Sequence, residues 1–418
     1  MKLTLIAAIL FSAALPALAV EQADVVATYA DIAEATYGDS LITARTLQAA
    51  VDALITGASE ENLAAAKSAW LAARVPYQQS EAFRFGNAIV DDWEGRVNSW
   101  PLDEGLIDYV DAAYGEATEE NAFAGLNVIL TPKFTLSGTE IDATAITPEL
   151  ISETLQEADG IESNVASSYH AIEFLLWGQD LNGKGPGAGA RPFTDYADGA
   201  DCTGGNWDRR SAYLQSATAL LVTDLEYMAA AWGANGEAHR AVTADPAAGI
   251  SAMLTGMGSL SYGELAGERM KLGLMLNDPE EEHDCFSDNT HDSHFYDGLG
   301  VQNVYLGRYA RIDSTVLQGV SLAELVTAKD TGLNTQLTAE LEATMAALGA
   351  IKSAAEGGFA YDQMLATGNA EGEALIMGGV NALITHTASI ERAVTALGLG
   401  EIAFEGSDSI DSPEAVFQ

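Results

Sequence analysis

The chain has 418 residues, 48% of them hydrophobic, and its 61 acidic and 19 basic residues give a formal net charge of -42 at pH 7. This charge repels nucleic acid and anionic membrane surfaces and attracts cations, so we expect no nucleic-acid partner and consider metal ions as ligands. The alternative interpretation of the charge is a solvated acidic surface suited to a salty environment.

The first segment, "MKLTLIAAILFSAALPALA" at 1–19, predicts a secretory signal peptide. It has a lysine near its start, then an apolar run, then a small-x-small cleavage pattern. No later apolar run is long enough to span a bilayer. We therefore expect an exported protein, periplasmic or envelope-associated, that is soluble after cleavage of the signal peptide.

Apolar residues at three- and four-residue spacing predict a chain of helices, with at most a small β-hairpin near 127–138. The fold class is therefore all-α, with two helical-bundle domains and long connecting loops, since about 400 residues exceed what one core usually organises. The predicted helices cover 21–56, 60–85, 101–113, 148–178, 208–232, 248–276, 317–329, 335–355 and 371–398.

A Gly/Pro/Asp-rich loop at 182–206 is the predicted domain boundary. The predicted organisation is a signal peptide at 1–19, an N-terminal helical bundle at 20–195, a C-terminal helical bundle at 196–405 and an acidic tail at 406–418.

The first polar stripe lies in "WLAARVPYQQSEAFRFGN", where Arg74, Tyr77 and Glu81 follow Trp70 at steps of four, three and four. Pro76 is expected to kink this helix and turn its side chains toward a cleft. A surface Arg–Glu ion pair is the alternative. Further along, "NSWPLDEGLIDYV" contains Asp103 and Glu104, which could also be acids in the first turn of a helix.

The stretch "SSYHAIEFLLWGQD" at 167–180 sets His170 and Glu173 three positions apart in an otherwise apolar helix. Side chains at this spacing share one helix face, so an imidazole and a carboxylate can bind one metal ion. A polar pair that hydrogen-bonds within a packed interface remains the alternative. A charged Glu173 in this setting requires compensation.

The second half offers further polar groups. In "SYGELAGERMKLG", Glu264 and Glu268 are four apart and Arg269 is next to them, either lining a site or forming ion pairs. The loop at 277–300 contains His283, His291 and His294 among acids, a composition that binds divalent metals weakly even without a built site.

Two cysteines occur, Cys202 and Cys285, and export would place them in an oxidising compartment. We therefore predict one disulfide that joins two loops. The chain contains no HExxH zinc-peptidase helix, no GxSxG elbow, no phosphate-binding GxxxxGK[ST] loop and no dinucleotide fingerprint after a strand.

The segment "YHAIEFLLWGQD" resembles the GxHxxE motif of the imelysin family, with Ser168 in place of the leading glycine. The segments "SAWLAARVPYQQSEAFRFGN", "NSWPLDEGLIDYV", "GELAGERM" and "HDCFSDNTHDSHFYD" extend the resemblance to the iron-regulated, imelysin-like exported proteins, over about 25–395. The resemblance implies two helical bundles, with the HxxE helix at a cleft near their junction.

The resemblance also implies a role in iron uptake in the bacterial envelope, with other iron-uptake proteins of the envelope as partners. Carried over to this chain, it implies a metal site at His170 and Glu173, with Glu81 and Asp103 as companions. One imidazole and three carboxylates suit iron, zinc or manganese without discriminating among them, and the resemblance favours iron. The predicted site lining comprises Arg74, Tyr77, Glu104, Glu264, Glu268, Arg269 and His291.

The leading hypothesis is thus an exported protein that binds a metal ion, most simply iron, through an HxxE-centred site. The family also has a metallopeptidase classification, so a zinc-dependent peptidase is one alternative. A scaffold or receptor-binding protein with a structural HxxE pair is the other. The sequence assigns no catalytic residue and no oligomeric state.

Overall fold

The computed structural model describes residues 20–114 and 121–417. The predicted signal peptide at 1–19 lies outside the described residues. The all-α prediction is confirmed, because long helices make up most of this part of the chain and its strands form two small antiparallel hairpins. No helix in these two ranges combines the length and the hydropathy that a membrane crossing needs.

The first half is built around two long helices that pack side by side. Ser59 begins the second of them, because its hydroxyl accepts a hydrogen bond from the backbone N–H of Asn62 at 3.2 Å. The helices of this half are α1 Gln22–Thr56, α2 Glu60–Ser80, α3 Ala88–Asn98, α4 Pro148–Leu150, which continues as a π-helix over Ile151–Leu155, and α5 Ser168–Trp177.

The second half begins with a long helix that packs against α1 and α5. Its elements are α6 Trp207–Trp232, α7 Glu237–Thr243, α8 Pro246–Ser259, a π-helix Leu260–Leu272, α9 Gly273–Leu276, α10 Thr290–Leu306, α11 Leu322–Lys329, α12 Thr331–Glu356, α13 Tyr361–Met364, α14 Ala370–Ala396 and α15 Asp408–Asp411. The last of these lies in the predicted acidic tail, and it packs on the π-helix, where the Ser409 hydroxyl donates to the Gly267 carbonyl at 2.9 Å.

The four strands pair locally. β1 Lys133–Leu136 and β2 Thr139–Asp142 form the first hairpin, with Phe134 opposite Ile141. The prediction placed a hairpin here but used 127–130 as one of its strands. A second hairpin, β3 Arg308–Ala310 with β4 Val316–Gln318, was not predicted.

The predicted helix at 101–113 is wrong. This segment forms a single 3₁₀ turn, Glu104–Leu106, followed by turns. The carbonyls of residues 105–107 accept hydrogen bonds from the backbone N–H groups of residues 127–129 at 2.7–3.1 Å, so they are paired with a different segment of the chain.

The predicted helix at 148–178 is interrupted. The chain leaves the helix at Gln156 and re-enters it at Ser168. The Gln156 side chain fixes the connection, because its Oε1 accepts hydrogen bonds from the backbone N–H groups of Ala166 and Ser167 at 2.9 and 3.1 Å.

Buried apolar side chains form two clusters. The larger includes residues of α1, α2, α5, α6 and α8. The smaller lies where the π-helix at 260–272 meets α12, α13 and α14. The division into bundles at 195/196 stays a prediction, and the helix pair α1 and α6 makes contact across that position.

Candidate metal centre

The HxxE motif lies in α5, every residue of which is buried. Ser168, the first residue of this helix, has a φ of +85°, a backbone conformation that glycine adopts at the lowest cost. Its hydroxyl accepts a hydrogen bond from the backbone N–H of His170 at 3.2 Å, so the serine secures the first turn despite its conformation.

His170 and Glu173 contact each other within the helix, with 3.2 Å between Nδ1 and Oε2. The second ring nitrogen of His170, Nε2, lies 3.2 Å from Oδ1 of Asn98 at the end of α3. Both side chains are almost completely buried, at 2% and 0% exposure. The pair therefore lies inside the protein and not on a helix surface.

Ser287, in the loop before α10, holds the other oxygen of Glu173. Its backbone N–H and its hydroxyl donate to Oε1 at 2.9 and 2.6 Å. Burial nevertheless raises the pKa of Glu173 well above its ordinary value, and the neighbouring charge of Asp284 raises it further. The two donors therefore compensate the carboxylate only in part, and a cation close to it would stabilise its ionised form.

Arg74 of α2 connects α3 to the same loop. Its Nη1 donates to Oδ1 of Asn98 at 2.8 Å and its Nη2 to Oδ1 of Asp284 at 2.9 Å, and this ion pair is buried. The guanidinium also lies 5.0 Å from the centre of the Tyr169 ring. Arg74, which was predicted to line the site, thus contacts both Asn98 and Asp284.

Asp284 is also held from its own side of the site. Asn289 and Ser293 both donate to Oδ2. Burial raises the pKa of Asp284, but the charge of Arg74 and the hydrogen bonds from Ser293 and Asn289 outweigh this, so its pKa lies below the ordinary value. Asp284 is thus an ionised carboxylate at neutral pH.

His283 completes the centre. Its ring packs edge-on against the His170 ring, with 4.8 Å between centroids, and against Trp100 at 5.1 Å. The residue is 1% exposed, and neither ring nitrogen has a hydrogen-bond partner among the described residues. Buried polar atoms rarely remain unpartnered, so these nitrogens indicate a ligand.

His170, His283 and Asp284 each offer one ligand atom, and the three atoms lie within 4.8 Å of one another. Two imidazoles and one carboxylate match the donor sets of non-haem iron and of catalytic zinc sites, both of which keep further coordination positions open. A cavity of about 390 Å³ reaches both histidines. The residues present therefore fit a metal ion that is accessible to small ligands.

The electrostatics keep both imidazoles in the form that binds metals. Burial, and then the positive charge of Arg74, lowers the pKa of His170 to about 3. Burial, and then the charge of Arg269, lowers the pKa of His283 well below its ordinary value. Both rings are therefore neutral at physiological pH, so a metal ion displaces no proton from them.

Glu81 is not part of this group. Its Oε2 accepts a hydrogen bond from Nη2 of Arg269 at 2.8 Å, and Arg269 also pairs with Glu264 at 2.7 Å and with Asp297 at 3.0 Å. The structure thus brings Glu81, Glu264 and Arg269 together, but as a buried ion-pair network centred on the arginine.

Asp103 lines the same cavity as His170 but is not one of the three grouped ligands. Its oxygens accept hydrogen bonds from Tyr114 at 3.1 Å, from Ser163 at 2.8 Å and from Asn121. Glu104 also lines this cavity.

The other predicted lining residues lie around the centre rather than in it. Tyr77 is buried and packs on Tyr169, with 4.9 Å between ring centroids. Glu268 lines a different cavity, together with Glu281. His291 lies in the first turn of α10, outside the ligand group.

The predicted disulfide is not formed in the structure. Cys202 and Cys285 both have free thiols. The Cys202 sulfur lies 3.6 Å from the carbonyl of Asp195, whereas Cys285 lines the cavity beside His283. The two thiols therefore have separate local environments.

Sequence reasoning noted His283 in the acidic loop but did not assign it as a ligand, and it did not select Asp284. The one available signal was the adjacent pair "HD" within a segment that resembles the family. No periodicity in the loop relates it to α5, so the contact between the two segments depends on the tertiary fold.

Comparison with known proteins identifies the family of the chain. The model of the imelysin family matches residues 33–390. No curated protein matches the chain.

Two solved structures share the fold. One, from Parabacteroides distasonis ATCC 8503, is described as an iron-regulated protein A precursor; it is 21% identical, with a TM-score of 0.64 over 92% of this chain and 97% of that one. The other is an imelysin-like protein from Psychrobacter arcticus 273-4, 16% identical, with a TM-score of 0.59 over 93% of this chain and 100% of that one. Since the family model covers most of the sequence, the chain belongs to the imelysin family.

Proposed function

We propose that this protein binds one iron ion through His170, His283 and Asp284 and serves iron uptake in the bacterial envelope. The observation that carries the proposal is the group of three ligand atoms within 4.8 Å of one another, all on buried side chains. The unpartnered nitrogens of His283 add to it, because a buried imidazole without a partner is costly unless a ligand satisfies it.

The residues around these ligands act as positioning groups. Glu173 fixes the orientation of the His170 ring, as carboxylates commonly do for metal-bound imidazoles. Arg74 holds Asp284 and Asn98 in one place and offsets the negative charge of the carboxylate. In this proposal the HxxE motif therefore contributes one ligand and one residue that orients it.

The choice of iron rests on the relatives and not on the geometry. Two imidazoles and a carboxylate also bind zinc and manganese. The structural neighbour from Parabacteroides distasonis is described as iron-regulated and as a precursor. Its description supports both the metal and, with the leader-like residues 1–19, an exported location for this chain.

The arrangement favours binding over peptide hydrolysis. A zinc peptidase needs a general base that can take a proton from the metal-bound water. Glu173 is the nearest candidate, but Oε1 accepts two hydrogen bonds from Ser287 and Oε2 contacts His170. No oxygen of Glu173 is therefore left free for that role.

Metal analysis and anaerobic calorimetric titration with Fe²⁺ test the proposal. We expect one ion per chain in the wild type and at least about a hundredfold weaker binding in His283→Ala and His170→Ala, since loss of a residue that only orients a ligand already costs about 10- to 100-fold. The matched control is His239→Ala, which removes a half-buried imidazole on α7 and should bind as the wild type does. Equal Fe²⁺ binding in all four proteins would rule out this centre.

Parallel titrations with Zn²⁺ and Mn²⁺ establish the preference for one metal. An assay with unfolded protein substrate and added zinc tests the peptidase alternative. Chelator-sensitive cleavage that is lost in Glu173→Gln would support the peptidase and contradict a pure binding function.

A further inference from the structure

A second, smaller pocket shares a wall with the cavity of the metal centre. Five carboxylates line it, and we call it the acid pocket. The shared wall consists of Glu104, Glu280, Glu282, Cys285 and Phe286. The carboxylates of the acid pocket are those of Glu104, Asp180, Glu280, Glu282 and Asp362.

Within the part of the chain that the structure describes, none of these five carboxylates forms an ion pair. The ion pairs of the neighbouring network engage Glu81, Glu264 and Asp297, all with Arg269. The acid pocket therefore concentrates negative charge without a protein cation to balance it. Like charges at this density destabilise a fold unless a counter-ion joins them.

Two of the five side chains are buried and incompletely paired. Asp362, in α13, is 2% exposed, and neither of its oxygens has a hydrogen-bond partner within 20–114 and 121–417. Glu282 is 3% exposed, and its Oε2 has no partner in these ranges either. Both side chains line the pocket. An unpartnered buried carboxylate is costly, so these oxygens point to a ligand that the protein itself does not supply.

The size of the pocket limits what can bind there. It has a volume of about 10 Å³, which is the space of one water-sized particle. An organic ligand is therefore excluded, whereas a single ion fits.

We propose that the acid pocket binds one hard divalent cation, for which Ca²⁺ is the probe, with Glu282 and Asp362 as the inner ligands. Carboxylate oxygens are the preferred ligands of such ions. The rest of the pocket is lined by the carboxylates of Glu104, Asp180 and Glu280. These supply further oxygens to the ion or hold water that is bound to it.

Ca²⁺ suits this pocket better than a smaller ion. Among the described residues, the acid-pocket oxygens form no group as tight as the one at the metal centre. Ca²⁺ accepts six to eight oxygens at about 2.3–2.6 Å in a flexible geometry, whereas Mg²⁺ demands a near-ideal octahedron. A pocket whose oxygens are not gathered into one tight group is thus better matched by calcium.

The acid pocket is distinct from the proposed iron centre. It contains none of the three grouped ligands, and its donors are oxygens apart from the sulfur of Cys285. Ca²⁺ binding should therefore survive loss of the iron ligands, and the failure of either proposal leaves the other standing.

The test is calorimetric titration of the full-length mature protein with CaCl₂ at neutral pH. We expect one Ca²⁺ per chain in the wild type and at least about tenfold weaker binding in Asp362→Asn, since the amide keeps the shape but removes the charge. Asp180→Asn, at the rim, should weaken binding in the same direction. Circular dichroism verifies that each variant is folded.

A matched control makes the result specific. Glu342→Gln removes an exposed carboxylate on α12 with the same change in net charge. It should bind Ca²⁺ as the wild type does. The proposal fails if the wild type shows no saturable Ca²⁺ binding, if Asp362→Asn and Asp180→Asn both bind normally, or if Cd²⁺ binds this pocket more tightly than Ca²⁺ does.

Discussion

Glu173 and Ser287 are 114 positions apart in the chain, and they meet through two hydrogen bonds to one carboxylate oxygen, at 2.9 Å from the backbone N–H and 2.6 Å from the hydroxyl. These bonds attach α5 to the loop that carries His283 and Asp284. The relative position of the proposed iron ligands therefore depends on this contact.

Removing the Ser287 hydroxyl should weaken the contact between this loop and Glu173 without abolishing it. We expect Ser287→Ala to lower the free energy of unfolding by about 1–2 kcal/mol, because one of the two donors to Glu173 is lost. Ser287→Thr keeps the hydroxyl and should stay closer to the wild type. Urea denaturation followed by circular dichroism measures both, and equal stability of the alanine variant and the wild type would contradict the role of this bond.

Substitutions of Arg74 and Asp284, which form a buried ion pair, should have strongly non-additive effects on the free energy of unfolding. Arg74→Met leaves Asp284 buried without its partner and should cost about 3–5 kcal/mol. Asp284→Asn in the same chain removes the orphaned charge. We expect the double variant to be more stable than the sum of the two single changes predicts, by about 1–3 kcal/mol. Additive changes in a double-mutant cycle would show that the two groups do not interact.

The positive φ of Ser168 gives a prediction about the start of α5. Alanine at +85° keeps the unfavourable backbone conformation and loses the hydroxyl, whereas glycine relieves the conformation. Ser168→Gly should therefore be more stable than Ser168→Ala by about 1 kcal/mol. Thermal or urea unfolding of the two variants decides this, and the reverse order would mean that residue 168 adopts a different conformation.

His386 of α14 should make the fold sensitive to acid. It lies between Thr344 and Ser261, each 2.8 Å from one ring nitrogen, and burial lowers its pKa to about 3. In the unfolded chain the pKa of this histidine is about 6.5. Below that pH the unfolded state binds a proton that the folded state does not bind, so the free energy of unfolding decreases as the pH decreases.

A variant isolates this contribution of His386. Relative to His386→Gln, the wild type should lose about 2 kcal/mol of unfolding free energy between pH 7.5 and pH 5. Denaturant titrations of both proteins at several pH values measure the difference. A difference that does not change with pH would show that His386 titrates normally in the folded protein.

Periodicity predicted the parts of the site that are local in sequence. His170 and Glu173 share a helix face because they are three residues apart, and the spacing alone placed them together. The same reasoning linked Glu264 to Glu268, four residues apart. In the structure this segment is a π-helix, so Arg269, five residues from Glu264, is the neighbour that pairs with it at 2.7 Å.

The remaining contacts could not be predicted from local pattern. Glu81 pairs with Arg269, 188 positions later, and this pairing removes Glu81 from the predicted ligand set. His283 and Asp284 lie in a loop without periodicity, so nothing local relates them to α5. The segment 101–113 does not form the predicted helix, because the carbonyls of residues 105–107 accept hydrogen bonds from the backbone N–H groups of residues 127–129.

The position of the proposed ligands on two separate segments has a kinetic consequence. An ion held by α5 and by the loop before α10 loses ligands when the two segments part, so the rate of iron release would depend on the rate at which this loop opens. The backbone N–H of Ser287, which donates to Glu173, is exposed to water in the same event. Hydrogen exchange at that single amide would therefore measure how often the loop opens, and hence how readily the protein releases its ion to an acceptor.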